Sequence, residues 1–380
     1  MADVGASAPV LYRASAEVDV GAVERNVASL VGRLHGGAAL CAVVKADGYG
    51  HGASEVAAAA LRGGATWLAV ASATEAWELR QELRDVPILT MGALTATELE
   101  VAMHAGAELA VWRNEVRRAA AERGAELGVR PRLHVKYDSG MGRLGERDRG
   151  AAERLVHEIA ADDRLELAGV WTHFATADEL DSEFFDEQLE RFRGFAGPLK
   201  ERYPDLLVHA ANSAATIREP SSHFDLVRCG IAIYGLDPMH GDPTVHGLEP
   251  ALTLRSYVAD VKDFEEGASA GYGRRWRAPR ATKVGVVPLG YGDGVRRALT
   301  NRAHVLIGGR RYPLVGTVSM DNLTVDLGPD SEVRPGDEVV LIGSQGEERI
   351  LAEEVARLVE TINYEVTCGI SSRVPRTYVR

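Results

Sequence analysis

The chain has 380 residues, with 43 Lys and Arg against 55 Asp and Glu, and its formal net charge of −12 argues against nucleic-acid binding, which needs a cationic face. A hydrophobic content of 46% is ample for packed cores and excludes disorder over most of the length, and the size suggests about two domains. No apolar stretch approaches the roughly 18 residues of a membrane span, and residues 1–9 lack the pattern of a secretion signal, so a cytoplasmic protein away from membranes is expected.

From residue 40 to 234, short apolar runs alternate with segments of helical period, the signature of strand–helix units on a parallel sheet. Eight runs are expected as strands: 40–45, 66–70, 86–91, 108–112, 132–137, 167–174, 206–211 and 226–234. Eight such strands close a parallel barrel. Between them, Ser72 with Glu75 and Thr95 with Glu98 fit capping boxes, and Gly63-Gly64 stops an alanine-rich helix. A long helix over 181–203 carries Phe184, Phe185, Leu189, Phe192 and Phe195 near helical spacing, a stripe that reads as core.

Past Tyr234 the texture changes. Residues 235–250 hold Pro238, Pro243, Pro250 and several glycines, and beyond them come short strands over 252–261, 283–288, 304–307, 314–318, 323–327 and 338–342 with one clear helix over 351–360. The expected architecture is α/β: an N-terminal (β/α)8 TIM-type barrel over residues 1–240, followed by a mostly β C-terminal domain over 241–380. The odd cysteine count, Cys41, Cys229 and Cys368, fits neither a disulfide framework nor a zinc cluster, and no metal is expected.

A strand–helix barrel carries its chemistry at the carboxyl ends of its strands. Lys45 ends the first run there, Lys136 and Asp138 the fifth, His173 the sixth, and Asn212 and Ser213 the seventh, while Arg228 and Gly230 lie within the eighth. Lys45 passes from Ala42-Val43-Val44 into a glycine-rich segment with Tyr49, and a partly desolvated amine there is a candidate Schiff-base former, against the commoner reading of a lysine snorkelling from a strand end. Ser213, Gly230, Ile231 and Tyr364 offer hydroxyls and backbone donors to a phosphate; singly each is weak, since a serine before a helix is usually its cap. Arg228 in an apolar strand needs an anionic, aromatic or acceptor partner, or is one half of a structural ion pair.

Taken together these segments resemble the alanine racemase family over nearly the whole chain. The resemblance rests on segment 42–52 around Lys45, 136–145 (Lys-Tyr-Asp-Ser-Gly-Met-Gly-Arg-Leu-Gly), 172–178 around His173, 212–215, 228–231, 270–273, 290–294 (Gly-Tyr-Gly-Asp-Gly), 318–321 and 363–366, in the family's order. It implies pyridoxal 5'-phosphate held by Lys45, which then serves as the base on the D face of the substrate, with Tyr272 as the base on the L face. Arg143 and the Met320 amide would bind the carboxylate of alanine. Tyr49, Ser213, Gly230, Ile231 and Tyr364 would surround the phosphate, and His173 would join Arg228, which faces the ring nitrogen. Lys136, Asp321 and Tyr291 would support these groups, and Lys136 is carbamylated in some members, an anion that would fix Arg143. The family shares its sites across a homodimer, so Tyr272 and Met320 would come from the partner subunit, and the product would be D-alanine for peptidoglycan.

Asp47 and Gly48 depart from the small or amide side chains many members carry there, and Trp276 and Tyr291 stand near the expected entrance. Three other readings stay open: a serine or broad-specificity racemase, a decarboxylase, and a weakly catalytic cofactor- or cycloserine-binding protein. A carboxylate-stabilising Arg143 disfavours the second, and the β domain with Tyr272 disfavours the third.

Overall fold

The computed structural model describes residues 12–380 in two compact units, Val20–Glu249 and residues 12–19 with Pro250–Arg380. In the first unit, eight parallel strands close a barrel: β2 (Ala39–Val43), β3 (Trp67–Val70), β4 (Ile88–Thr90), β5 (Glu108–Val111), β6 (Arg132–Lys136), β7 (Glu166–Trp171), β8 (Leu207–His209) and β9 (Leu226–Cys229). The barrel forms because these runs are buried on both faces, inward by one another and outward by the helices, so they are apolar almost continuously. Both expected capping boxes are present: the Glu75 amide donates to Ser72 Oγ at 3.2 Å, and the Glu98 amide to Thr95 Oγ1 at 3.3 Å.

The long helix spans Phe184–Arg202 and buries Phe185, Leu189, Phe192 and Phe195 on one stripe, each fully buried ring contributing about 1.5–3 kcal/mol. Phe184 lies off that stripe, half-buried beneath the Arg191 guanidinium. The eighth strand is shorter than expected. It ends at Cys229, and Ile231–Tyr234 form a 3-10 turn, because the Gly230 and Ala232 amides donate to Ser213 Oγ at 3.0 and 3.3 Å instead of continuing a strand ladder. The Tyr234 hydroxyl then ties the turn to the Val43 carbonyl at 2.9 Å.

The second unit begins with β1 (Ala14–Asp19), which pairs antiparallel with β10 (Leu252–Tyr257) and parallel with β20 (Arg376–Val379). The expected 1–240 barrel segment therefore begins one strand too early, and the first unit runs to Glu249 rather than 240. The alternating burial of β1 is that of a strand with one solvated face, unlike the barrel strands. The expected strand 252–261 is two strands, β10 and β11 (Asp260–Phe264). At the break the Val258 amide donates to Asp337 and the Ala259 amide to Val286, moving the chain between neighbours. Two short strands, β12 (Ser269–Ala270) and β13 (Trp276–Arg277), pair only with each other. The rest are β14 (Thr282–Val287), β15 (His304–Ile307), β16 (Arg310–Val315), β17 (Leu323–Gly328), β18 (Glu338–Gln345) and β19 (Glu348–Ile350). The sheet order is β11-β14-β17-β16-β15-β18-β10-β1-β20, with β19 on β18. Besides Ala352–Leu358 there is a second helix, Asn363–Cys368, too short for its period to be read.

Candidate active site

The carboxyl ends of the barrel strands gather most of the polar residues singled out above. Just past β2, Lys45 opens a turn in which Ala46 (φ 53°, ψ 50°), Asp47 (φ 51°, ψ 52°) and Gly48 (φ 60°, ψ 44°) are all left-handed, and Tyr49 follows at φ 53°. Left-handed geometry costs about 1–2 kcal/mol for each residue with a Cβ, so something must hold it. One carboxylate does so from the next strand end: Glu75 accepts from the Ala46 amide at 2.7 Å and from the Ala71 amide at 2.8 Å. Asp47 accepts from the Ala53 amide at 3.0 Å, capping the helix that follows, which gives the family departure at this position a structural reason.

Past β6, Asp138 accepts from the amides of Gly140 and Gly142 at 3.0–3.1 Å, and the Asp138 amide donates to Glu146 at 2.9 Å. The loop carrying exposed Arg143 is thus clamped at its base. Gly145 favours glycine because its φ of +120° strains any residue with a Cβ, which would also lie 3.0 Å from the Asp138 amide nitrogen.

Lys136 is buried with its Nζ 4.2 Å from the Trp171 ring centroid, and the Arg228 guanidinium lies 4.8 Å from the same centroid. Burial, reinforced by the charges of Arg228 and Arg143, lowers the Lys136 ammonium from its ordinary 10.5 to about 7. Arg228, also buried, donates to the carbonyls of Thr172 at 2.8 Å and Ala210 at 3.0 Å, and to His209 Nδ1 at 3.0 Å. His173 Nδ1 stands 3.5 Å from Arg228, and burial together with Arg228, Lys136, Arg143 and Lys45 holds its pKa well below the ordinary histidine value. Arg228 therefore has His209, not His173, as its close imidazole partner. His209 is passed over in the sequence because the expected run 206–211 puts it inside the strand, whereas β8 ends at His209.

This mouth suits an anionic guest. Lys45, Lys136, Arg143 and Arg228 are close enough to depress His173 together, with Asp138 the acid that acts against them at Lys136. Gly230 leaves a cradle: a Cβ there would lie 2.4 Å from the Tyr49 hydroxyl, so only glycine lets that hydroxyl approach the backbone. Ser213 and Ile231 border the same place. A phosphate with a flat ring beside Arg228 matches this donor set, and among the described residues no group of His, Cys, Asp or Glu is arranged to hold a metal ion.

The sheet unit carries the remaining expected residues. Tyr272 and Met320 are 76% and 52% exposed, although their backbones are held. The Thr317 hydroxyl donates to the Tyr272 carbonyl at 2.7 Å, and the Gly292 amide donates to the Met320 carbonyl at 2.9 Å. Asp321 accepts from Arg373 at 2.7 Å, and the buried Asp293 of the 290–294 motif pairs with Arg13 and Arg373, so Asp293 joins Asp321 in one charge cluster. Tyr291, also exposed, lies in the same loop as Asp293, and Tyr364 sits in the helix Asn363–Cys368.

An eight-stranded parallel barrel with a cationic mouth, joined in one chain to a ten-stranded sheet unit, defines a narrow class of protein. The chain matches the family models "Alanine racemase, N-terminal domain" over residues 18–238 and "Alanine racemase, C-terminal domain" over 251–378. It is 45% identical over 96% of both chains to the alanine racemase of Symbiobacterium thermophilum, and 40% identical to alanine racemase 1 of Bacillus subtilis over 96% of this chain and 92% of that one. Among solved structures, the alanine racemase from D-cycloserine-producing Streptomyces lavendulae superposes with a TM-score of 0.93 at 36% identity, covering 98% of both chains. The chain belongs to the alanine racemase family. Among the described residues no helix is long and apolar enough to cross a membrane.

Proposed function

We propose that the chain interconverts L- and D-alanine with pyridoxal 5'-phosphate in a two-base reaction, in the cytoplasm, supplying D-alanine for peptidoglycan. The observation that carries this is the gathering of Lys45, Lys136, Arg143 and Arg228 near His173 at the barrel mouth, with the glycine cradle at Gly230, in a chain whose relatives are named alanine racemase. Lys45 would hold the cofactor covalently, with Tyr49, Ser213, Gly230, Ile231 and Tyr364 around its phosphate and Arg228 and His173 at its ring. When bound, the cofactor supplies an electron sink for the charge left at the substrate α-carbon. Arg228 is a protonated guanidinium that can only donate, so facing it the ring nitrogen would stay unprotonated, which limits that sink and favours prompt return of the proton.

Arg143 and the Met320 amide would hold the substrate carboxylate, Lys45 would move the α-proton on the D face, and Tyr272 would move it on the L face. The exposed Tyr272, Met320 and Tyr291 on a fixed backbone support their being covered by a second protomer, so the working unit is proposed to be a homodimer with shared sites. Incubating the purified protein with the cofactor and L-alanine, then L-serine, and resolving the D and L forms tests the reading; no D-alanine would overturn it.

Arg143→Ala is expected to lower kcat/KM for alanine on the order of a hundredfold, through both a higher KM and a lower kcat, because a charge-assisted clamp binds and orients together. Steady-state kinetics with both terms unchanged would remove Arg143 from the site.

Lys136 is proposed to be carbamylated. With its pKa near 7, about half the amine is neutral at pH 7, against roughly one in 3000 for an ordinary lysine. The neutral nitrogen attacks the carbon of CO2 and releases a proton, leaving an N-carboxylate that turns a repelling neighbour of Arg143 into an attracting one. The neutral form grows as pH rises, so a carbamate carbon resonance from 13C-bicarbonate is expected to increase through about pH 7 and to be absent in Lys136→Ala. No such resonance in the wild type on the alkaline side would refute the modification.

A further inference from the structure

Beneath the barrel mouth, four buried side chains form one continuous hydrogen-bonded line. Arg228 Nη1 lies 3.0 Å from His209 Nδ1, His209 Nε2 lies 3.0 Å from His134 Nδ1, and His134 Nε2 lies 2.6 Å from Glu108 Oε2. Both imidazoles have no solvent exposure, and Glu108 is also buried. At its far end Glu108 is anchored by Arg132 Nε at 2.8 Å.

The chemistry of the groups gives this line one direction. A guanidinium only donates, so His209 Nδ1 must carry the lone pair. A neutral His209 then bears its proton on Nε2 and donates it to His134 Nδ1. His134 in turn bears its proton on Nε2 and donates it to the carboxylate. The neutral state of His209 agrees with its burial and with the nearby Arg228 charge, both of which lower its pKa. Glu108 remains ionised: burial works to raise its pKa, but the hydrogen bond from His134 and the hydrogen bond and charge of Arg132 outweigh it.

The fold makes room for this line. His134 on β6 stands opposite Gly169 on β7, where a Cβ would lie 2.4 Å from His134 Nδ1. Trp171 stacks on His209 with ring centroids 5.7 Å apart and planes 4° from parallel, fixing the second imidazole.

We propose that Glu108 and His134 are positioning residues for the reaction: acting through His209, they lock the orientation of Arg228 and draw off part of its positive charge, and so set how Arg228 meets the ring of the cofactor. This rests on the function proposed above. Neither residue touches the reacting atoms, and their influence passes along polarised hydrogen bonds.

The line is tested first without any substitution, by 15N NMR of the histidine-labelled holoenzyme, in which His134 and His209 should both be neutral with the proton on Nε2. An Nδ1–H form or a doubly protonated ring at either residue would overturn the proposal. Glu108→Gln keeps an acceptor for His134 but removes the charge. It is expected to lower kcat roughly three- to tenfold with KM for alanine within about twofold, to shift the visible absorbance of the bound cofactor, and to lose its effect in an Arg228→Lys background. His134→Leu, which interrupts the line in the middle, should do the same and serves if the first variant does not fold. Unchanged kcat and absorbance in a folded variant, or an equal loss in the Arg228→Lys background, would refute the positioning role. Failure of the wild type itself to racemise alanine would instead count against the underlying function, and the tautomer measurement would still judge the line.

Discussion

Replacing Lys45 by alanine is expected to leave the fold intact while abolishing both covalent attachment of the cofactor and racemisation. The lysine lies two residues past the end of β2 and is only half-buried, so truncation opens no core cavity, and stability should stay within about 0.5 kcal/mol of wild type. The left-handed turn behind it is held by Glu75 and Asp47 through backbone amides, none of which involves the lysine side chain. What is removed is the one amine proposed both to hold the cofactor and to move a proton. The expected fall in rate is therefore at least about 10⁴-fold, the upper range for a single positioned acid or base. Borohydride treatment followed by mass analysis should find the cofactor fixed to the wild-type chain at Lys45 and to no residue of the variant. Appreciable activity in Lys45→Ala without added amine would sink the assignment.

The barrel was readable because strands buried on both faces write themselves as unbroken apolar runs, and because Ser72, Thr95 and their glutamates announce helix starts. The same reasoning misjudged 231–234, where apolar character continues past Gly230 but the backbone donors turn to a serine hydroxyl 17 residues earlier in the chain. It passed over β1, whose partners lie more than 230 residues away. Candidate site residues at strand ends were legible one by one. The Glu108–His134–His209 line was not, because Gly169 acquires its meaning only once strand register sets it against His134, and register cannot be read from a single strand. Asp47 looked like a departure from the family pattern, and only the Ala53 amide beside it explains its presence.

Tyr272→Phe is expected to separate the two halves of the reaction. The substitution keeps the ring and removes only the hydroxyl. The ring is 76% exposed on its own protomer, and the backbone is held at its carbonyl by Thr317, so the loop should not move. If Tyr272 serves the L face and Lys45 the D face, exchange of the α-hydrogen of L-alanine with deuterated water should collapse, by about 10²–10⁴-fold, while exchange of D-alanine begun by Lys45 persists. Net racemisation should fall equally in both directions, since a catalyst cannot shift the equilibrium between enantiomers. Equal loss of both exchanges would contradict the assignment of one base to each face. The same variant tests the shared site: Lys45→Ala and Tyr272→Phe protomers are each inactive alone, but a dimer of one with the other contains one site with both bases and one with neither. Mixing them under conditions of subunit exchange should restore partial activity, approaching one quarter of wild type when random pairing makes half the dimers mixed and each mixed dimer has one working site. Mixed dimers demonstrated by differential tagging but showing no activity would mean that Lys45 and Tyr272 of the same protomer work together.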